Sequence, residues 1–248
     1  MLASFEIKPE NGAWPPGWTG PPKADSYVEV MTRIPHFPQA VGTSLLLATS
    51  ATVLTIATAF LGAYSLARWH FHGRRFVVQA FLILATLPVV AYVIPMSHLA
   101  REVHLHDTFF GVTLAAAAVY APLAVYVLFG YLAQVPRALE DVARLEGAGM
   151  LQVIYKIVAP AVGPGLAATA VLVFVLDWNL FLVPTALTLN HVKTIPVALS
   201  DFYTYERELE WSNAAAAITL SLVPVAALAT FAHRLLEEFS LSPTSEDA

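Results

Sequence analysis

The sequence has no cysteine and few charged residues, and both shortages exclude classes of function for this protein. Without cysteine, the chain has no disulfide, no thiolate nucleophile and no cysteine-bound metal. Charged residues make up only 12% and hydrophobic residues 57% of the 248 positions, whereas soluble domains carry roughly a quarter charged residues. Long basic runs are also missing and the net charge is −5, which argues against a nucleic acid partner. The composition therefore indicates a membrane protein in contact with lipid.

Sequence motifs for catalysis are missing as well. No glycine-rich loop ends in Lys-Ser or Lys-Thr, so any ATP would have to be hydrolysed by a partner. His104 and His106 lie beside Asp107 without a third ligand nearby, and we predict no metal site there. We therefore predict neither an enzyme nor a bound cofactor.

Five apolar runs follow one another along the chain. Each is long enough for the roughly 20 helical residues that cross a bilayer core. They lie between Arg33 and Arg68 and at residues 76–99, 109–135, 159–189 and 213–232. We predict an all-α polytopic membrane protein with about five transmembrane helices, in a domain that covers residues 39–240.

The two ends of the chain differ from this apolar domain. Residues 1–38 hold seven of the 17 prolines and predict an irregular arm outside the membrane. This arm has neither the basic start nor the apolar core of a signal peptide. Residues 241–248 are predicted to form a cytoplasmic tail.

The positions of lysine and arginine predict the orientation in the membrane. The turn at residues 68–75 carries three arginines, and the loop at residues 136–166, called the coupling loop below, carries Arg137, Arg144 and Lys156. Both are predicted to be cytoplasmic, although the bias is small, with seven basic residues inside and six outside. With five spans, the N-terminal arm lies outside.

The coupling loop has the pattern of a helix, a turn and a second helix. Pro136 suits a helix start, Gly147 suits the turn, and Pro160 lies near the end. The helical spacing predicts one apolar and one charged face. The apolar face would contain Leu139, Val142, Ala143, Leu145, Ile154, Ile157 and Val158, and the charged face Arg137, Glu140, Asp141, Arg144 and Glu146.

This loop resembles the EAA motif of permease subunits in ABC importers, which reads Glu-Ala-Ala, three residues, Gly, nine residues, Ile, one residue, Leu-Pro. Asp141, Val142, Ala143, Gly147, Ile157, Ala159 and Pro160 occupy these positions. The resemblance implies the type I permease fold and a loop that docks in a groove of the ATPase subunit. The implied coupling residues are Leu139, Glu140, Asp141, Val142, Ala143, Arg144, Glu146, Gly147, Ile157 and Pro160. The alternative is an ordinary amphipathic loop on the membrane surface.

The resemblance extends to sugar-importing permeases related to the maltose and glycerol-phosphate systems. Residues 63–68 with 73–75 are similar to their first cytoplasmic turn, Asp107-Thr108 to the start of their fourth span, and Trp178-Asn179 to a pair in their fifth. These relatives have six spans, and this chain begins where their first span ends. We expect either an apolar span encoded upstream or a five-span variant.

The same resemblance implies the partners and the location. A second permease subunit, two ATP-binding cassette subunits and an extracytoplasmic solute-binding protein would complete the importer in the cell (inner) membrane. The C-terminal residues 240–244 differ from the small-residue stretch of many relatives, so no contact of the tail with the ATPase is assumed.

Asp177, Trp178 and Asn179 are the most polar group inside a predicted span. An ionised Asp costs roughly 2.5–3.5 kcal/mol at the bilayer centre, so it usually faces protein or water. One hypothesis is a place on the solute path, where hydroxyl groups need partners and Trp178 could stack on a sugar. The other is a structural hydrogen bond between helices.

The sequence therefore predicts a permease that moves a carbohydrate. A non-sugar solute is the first alternative. A channel or secondary transporter would usually show several intramembrane charges or an inverted repeat, and a membrane enzyme would need paired acids, a histidine cluster or a nucleophile at span level. Neither pattern is evident here.

Overall fold

The computed structural model describes residues 8–9, 18–19, 25–32, 37–188, 192–200, 215–227 and 230. The predicted cytoplasmic tail at residues 241–248 lies outside this part of the chain. The N-terminal arm, predicted to be irregular, contains two short strands, β1 (Lys8–Pro9) and β2 (Trp18–Thr19), which pair antiparallel. Helix α1 (Asp25–Thr32) follows them. Val30 of α1 packs in a small cluster with Phe37, Ala216 and Ala217, so the arm ends against the helical domain.

Two long helices form the centre of the fold. Helix α2 (Phe37–Arg68) has 32 residues and rises about 48 Å, and α5 (Phe109–Leu132) has 24 residues and rises about 36 Å. Both are long and apolar enough to cross a membrane. They pack along each other through small buried residues such as Ala59 and Ala63 of α2 and Ala124 of α5. Small side chains let two helix backbones approach closely, which is the usual packing in lipid.

Helix α5 has a well-defined start. The Thr108 side chain accepts a hydrogen bond from the Gly111 backbone N–H at 3.0 Å, which caps the first turn of the helix. A Cβ atom at Gly111 would lie 2.1 Å from the Leu105 carbonyl oxygen. The backbone of the preceding turn therefore needs glycine at this position.

The second predicted span is divided into two helices. Helix α3 (Arg74–Thr86) and helix α4 (Val89–Glu102) meet at 96°, and together they cover the apolar run predicted at residues 76–99. Leu87 is extended, with φ −68° and ψ 137°, because the ring of Pro88 disfavours helical backbone in the residue before it. The periodicity of an apolar run does not record such a break.

The fourth predicted run is also divided. The chain forms α7 (Met150–Gln152), a π-helical turn (Val153–Val158), α8 (Ala159–Ala161) and α9 (Gly163–Trp178), with a bend of 79° before α9. The run predicted at residues 159–189 therefore contains α8 and α9, with the bend between them. Pro164 lacks a backbone N–H and its ring would clash in a continuous helix, but it fits the first turn of α9.

Short helices complete the described part of the chain. They are α10 (Leu182–Leu187), α11 (Ile195–Ser200) and α12 (Ala215–Ala227). Among the described residues, two helices pass the length and hydropathy test for a span, and each of the two bent pairs passes it as a unit. The result is an all-α polytopic fold, as predicted, with bends that the apolar pattern did not show.

Gly165, near the start of α9, packs against the Tyr131 ring near the end of α5. A Cβ atom at this position would lie 2.5 Å from Cγ of the Tyr131 ring. We expect Gly165→Ala to destabilise the protein by about 1–3 kcal/mol through overpacking, measured as a lower thermal unfolding midpoint in detergent. Gly130→Ala is the matched control in α5, since no atom lies within 4 Å of its added Cβ. Equal midpoints for the two variants would show that the contact is not tight.

Candidate functional site

The coupling loop is a helix, a turn and a second helix, as the sequence predicted. Helix α6 (Arg137–Leu145) follows Pro136. The chain then turns at Gly147, whose φ of +90° lies in the left-handed region that favours glycine. The Ala148 N–H donates to the Ala143 carbonyl oxygen at 2.9 Å and closes the end of α6. The next helix begins at Met150, and the loop therefore has a defined shape before any partner binds.

Helix α6 presents its larger apolar side chains outward. Leu139 is 48% exposed, Val142 55% and Leu145 89%, and these three residues are called the α6 apolar face below. The buried residues of α6 are Glu140 and Ala143. The expectation that Glu140 belongs to an exposed charged face was therefore wrong. The buried residues come from both predicted faces of α6, Ala143 from the apolar face and Glu140 from the charged one, and the other members of both faces that lie in α6 are exposed.

Glu140 is buried because three side chains satisfy its carboxylate. The Tyr64 hydroxyl donates to Oε2 at 2.9 Å, and Arg144 Nη2 donates to the same oxygen at 3.1 Å. Arg68 Nε donates to Oε1. Tyr64 and Arg68 lie at the end of α2, whereas Arg144 lies one turn further along α6 itself. A carboxylate can be buried at this depth only when opposite charge and hydrogen bonds replace its water.

Arg68 also binds the end of α5. Its Nη1 and Nη2 atoms donate to the carbonyl oxygens of Leu132 at 3.2 Å and Val135 at 3.3 Å. Arg137 Nη2 donates back to the Arg68 carbonyl oxygen at 3.0 Å. The basic turn at residues 68–75 and the coupling loop thus lie at the same end of the helices. Sequence reasoning noted Arg68 only as part of a basic turn and missed its role beside α6.

The remaining coupling-loop residues divide between packing and exposure. Val153, Ile154 and Val158 are buried in the core cluster, and Ile157 packs against it half-buried. Asp141 and Glu146 are exposed, and Asp141 accepts a hydrogen bond from Arg144 Nη1 at 3.2 Å. Pro160 lies in α8, within the bent connection to α9. Three exposed apolar residues of the second helix, Met150, Leu151 and Tyr155, were missed by the sequence analysis.

Asp177 and Trp178 at the end of α9 face other helices. Asp177 is 2% exposed, and its Oδ2 accepts a hydrogen bond of 3.4 Å from Thr52 of α2. Within the described part of the chain, its Oδ1 has no hydrogen-bond partner. The Trp178 indole N–H donates to the Ser221 carbonyl oxygen of α12 at 3.2 Å, and its ring stacks on Phe174. Both side chains therefore have interhelical contacts.

Asn179 differs from these two neighbours because it is exposed. Its Nδ2 donates to the Val175 carbonyl oxygen, one turn earlier in α9, at 2.7 Å. The amide lies at the C-terminal end of α9, where the chain leaves the helix. Among the three residues of the candidate solute path, Asn179 is the one accessible from outside the helix bundle.

Comparison with known proteins identifies the family. Residues 55–239 match the binding-protein-dependent transport system inner membrane component family. The chain belongs to this family. Its coupling loop, at residues 136–166, lies inside the matched region, and the permease prediction is confirmed. Among the described residues, no group of three histidine, aspartate or glutamate side chains is placed to hold a metal ion.

Individual relatives support the same assignment. The chain is 30% identical to the trehalose transport system permease protein SugB of Mycobacterium tuberculosis, over 81% of this chain and 74% of SugB. It is 28% identical to the trehalose/maltose transport system permease protein MalG of Thermococcus litoralis, over 83% of this chain and 74% of MalG. The fold is similar to a chain in the crystal structure of a bacterial ABC transporter involved in alginate import, with a TM-score of 0.75 at 19% identity, covering 94% and 88% of the two chains.

The Asp177 carboxyl gives a prediction about stability. An ionised carboxylate buried with one weak hydrogen bond is costly, whereas an amide of the same shape carries no charge. We expect Asp177→Asn to retain or increase the thermal midpoint and the yield in the membrane. Asp177→Ala should lower both, because it leaves a cavity and removes the partner of Thr52. A large loss of stability in Asp177→Asn would show that the carboxylate itself is needed.

Proposed function

We propose that this chain is the permease subunit of a carbohydrate importer and that α6 is its ATPase-docking element. The observation that carries the proposal is the α6 apolar face, which is exposed although the same helix buries a glutamate. A water-exposed apolar surface on a rigid element is typical of a protein interaction site. A helix that presents such a face fits into an apolar groove of a partner.

The shape of the coupling loop favours a protein partner over the membrane surface. A helix that only rests on lipid needs no fixed contact with its own protein, whereas α6 is fixed on the protein through its buried residues Glu140 and Ala143. The α6 apolar face points away from that side, and Met150, Leu151 and Tyr155 extend the exposed apolar surface. Docking of this surface in an ATPase groove would cover it.

The complete importer would contain further subunits. We infer a second permease subunit, two ATP-binding cassette subunits that hydrolyse ATP, and an extracytoplasmic solute-binding protein. This chain would supply no catalytic group and bind no cofactor. It would lie in the cell (inner) membrane as a multi-pass protein, with the coupling loop on the cytoplasmic side.

The relatives support a carbohydrate as the solute. SugB and MalG are named for trehalose and for trehalose or maltose, and both match most of this chain. Asn179 offers an exposed amide oxygen, and sugar hydroxyl groups are hydrogen-bond donors that suit such an acceptor. We therefore place Asn179 on the solute path. Asp177 and Trp178 lie behind it and hold α9 against α2 and α12.

The docking proposal predicts the effect of one charged substitution. We expect Leu145→Asp to lower retention of the ATPase subunit during affinity purification by roughly tenfold or more, because a charge replaces an apolar anchor. The amount of permease in the membrane should not change, since Leu145 makes little contact within the chain. Phe71→Asp is the control, an exposed apolar residue outside α6. Full retention of the ATPase by Leu145→Asp would contradict docking through this face.

The solute-path proposal predicts an effect that depends on the solute. In proteoliposomes with the complete importer, we expect Asn179→Ala to reduce uptake of trehalose and maltose to different extents, because each sugar presents its hydroxyl groups differently. Gln134→Ala is the matched control, since Gln134 is also exposed and donates to the carbonyl oxygen four residues earlier. An equal loss for both sugars would contradict a path role. Uptake of methionine but of neither sugar would contradict the carbohydrate assignment.

A further inference from the structure

Besides the short covalent link from α5 at residues 133–136, two connections lead from α6 into the membrane helices, and they differ in construction. The covalent one runs through α7, the π-helical turn at Val153–Val158 and α8, and then bends by 79° into α9. π-Helical turns and proline-containing bends are points where a helix changes direction. A connection with such bends transmits a displacement of α6 poorly, because the angle at the bend can change while α9 stays in place.

The second connection is not covalent and has no such hinge. Glu140 of α6 is held by Tyr64 and Arg68, which belong to the last turns of the unbroken helix α2. The side chains of Glu140 and Arg68 are only 2% and 9% exposed. Arg137 adds a hydrogen bond of 3.0 Å to the Arg68 carbonyl oxygen. Within the described residues, the end of α2 is therefore linked to α6 by side chains of both helices.

Arg68 makes this connection part of a larger unit. Its guanidinium group binds Glu140 through Nε and the α5 terminal carbonyl oxygens through Nη1 and Nη2. One planar group thus fixes the ends of α2, α5 and α6 relative to one another. Arg144 also binds Glu140, but it belongs to α6 and is half exposed, so it does not link two helices.

Helix α2 continues from this junction to the candidate solute path. Thr52 lies 16 residues before Arg68, a distance of about 24 Å along a helix, and donates to Asp177 beside Asn179. Ser44, two turns further, accepts a hydrogen bond of 2.7 Å from the Ile195 backbone N–H. A displacement of the Arg68 end therefore has a continuous path to the polar end of α9.

We propose that Arg68 and Glu140 are positioning residues that transmit the movement of α6 directly into α2, so that α2, α5 and α6 move as one body while the bent connection to α9 changes its angle. This inference rests on the proposed docking of an ATPase to α6. It changes the role expected for Glu140, which acts inside the permease and does not contact the ATPase.

Distance measurements test the proposal in the complete importer. The chain has no cysteine, so two introduced cysteines can be spin-labelled specifically. Ala138→Cys on α6 is combined with Val53→Cys on α2 or with Leu172→Cys on α9, and distances are measured by pulsed electron resonance without nucleotide and with a non-hydrolysable ATP analogue. We expect the α6 to α2 distance to stay constant and the α6 to α9 distance to change. An α6 to α2 distance that changes as much as the α6 to α9 distance would overturn the proposal.

Substitution of the pair provides a second test. We expect Glu140→Gln and Arg68→Gln to retain the ATPase subunit and its hydrolysis but to lower the sugar transported per ATP by about fivefold or more. The double variant should be no worse than either single one, because both remove the same link. Glu102→Gln is the control, since it removes an exposed ion pair with His98 in α4.

The outcomes of this test separate the possible roles. An unchanged transport-to-ATP ratio in Glu140→Gln would overturn the proposal, and so would loss of the ATPase from the complex. If the unmodified chain neither retains an ATPase nor transports sugar, the proposed function fails, independently of the pair. If a variant gives too little protein in the membrane, Arg68→Lys is used in its place, because lysine keeps the charge but cannot bind all three oxygen atoms. The transport-to-ATP ratio of Arg68→Lys then tests the proposal in the same way.

Discussion

The buried carboxylate of Glu140 is the constraint on which the α6 end of this permease depends. Removal of one partner from a buried ion pair costs about 3–5 kcal/mol, because the remaining charge has no water. Glu140 therefore requires Tyr64, Arg68 and Arg144 in their observed places. Arg68 in turn fixes the last carbonyl groups of α5. The orientation of α6 on the protein follows from this arrangement.

That orientation also determines which apolar side chains of α6 are exposed. Because the charged residue faces inward, Leu139, Val142 and Leu145 face outward and remain exposed. In an isolated chain this arrangement exposes apolar surface to water at a free-energy cost of about 25 cal/mol per Å². The cost disappears when a partner covers the face. The same geometry that stabilises this end of the helices thus leaves an apolar surface that a partner can cover.

The bends in the helices have a related consequence for movement. Helix α2 is continuous from the polar end of α9 to the Arg68 junction, whereas α3 with α4 and α8 with α9 are bent by 96° and 79°. Continuous helices transmit displacement along their axis, and bends allow neighbouring segments to change their angle. The fold therefore combines the continuous helix α2 with two bent helix pairs around the same core. Such a combination suits a protein that changes the access of a solute without unfolding.

The sequence by itself determined the class of fold and the place of the coupling loop. The lengths of the apolar runs predict helices that cross a bilayer, and Gly147 predicts a left-handed turn. The spacing from Asp141 to Pro160 indicates the family. All three are local properties of the chain. The tertiary structure alone decided which face of α6 is buried, that Arg68 and Tyr64 hold Glu140, and that Asp177 and Trp178 contact other helices while Asn179 is exposed. These facts depend on residues 43 to 125 positions apart in the chain that meet in space. A helical pattern shows which residues share a side of a helix, but the packing partners determine which of them are buried.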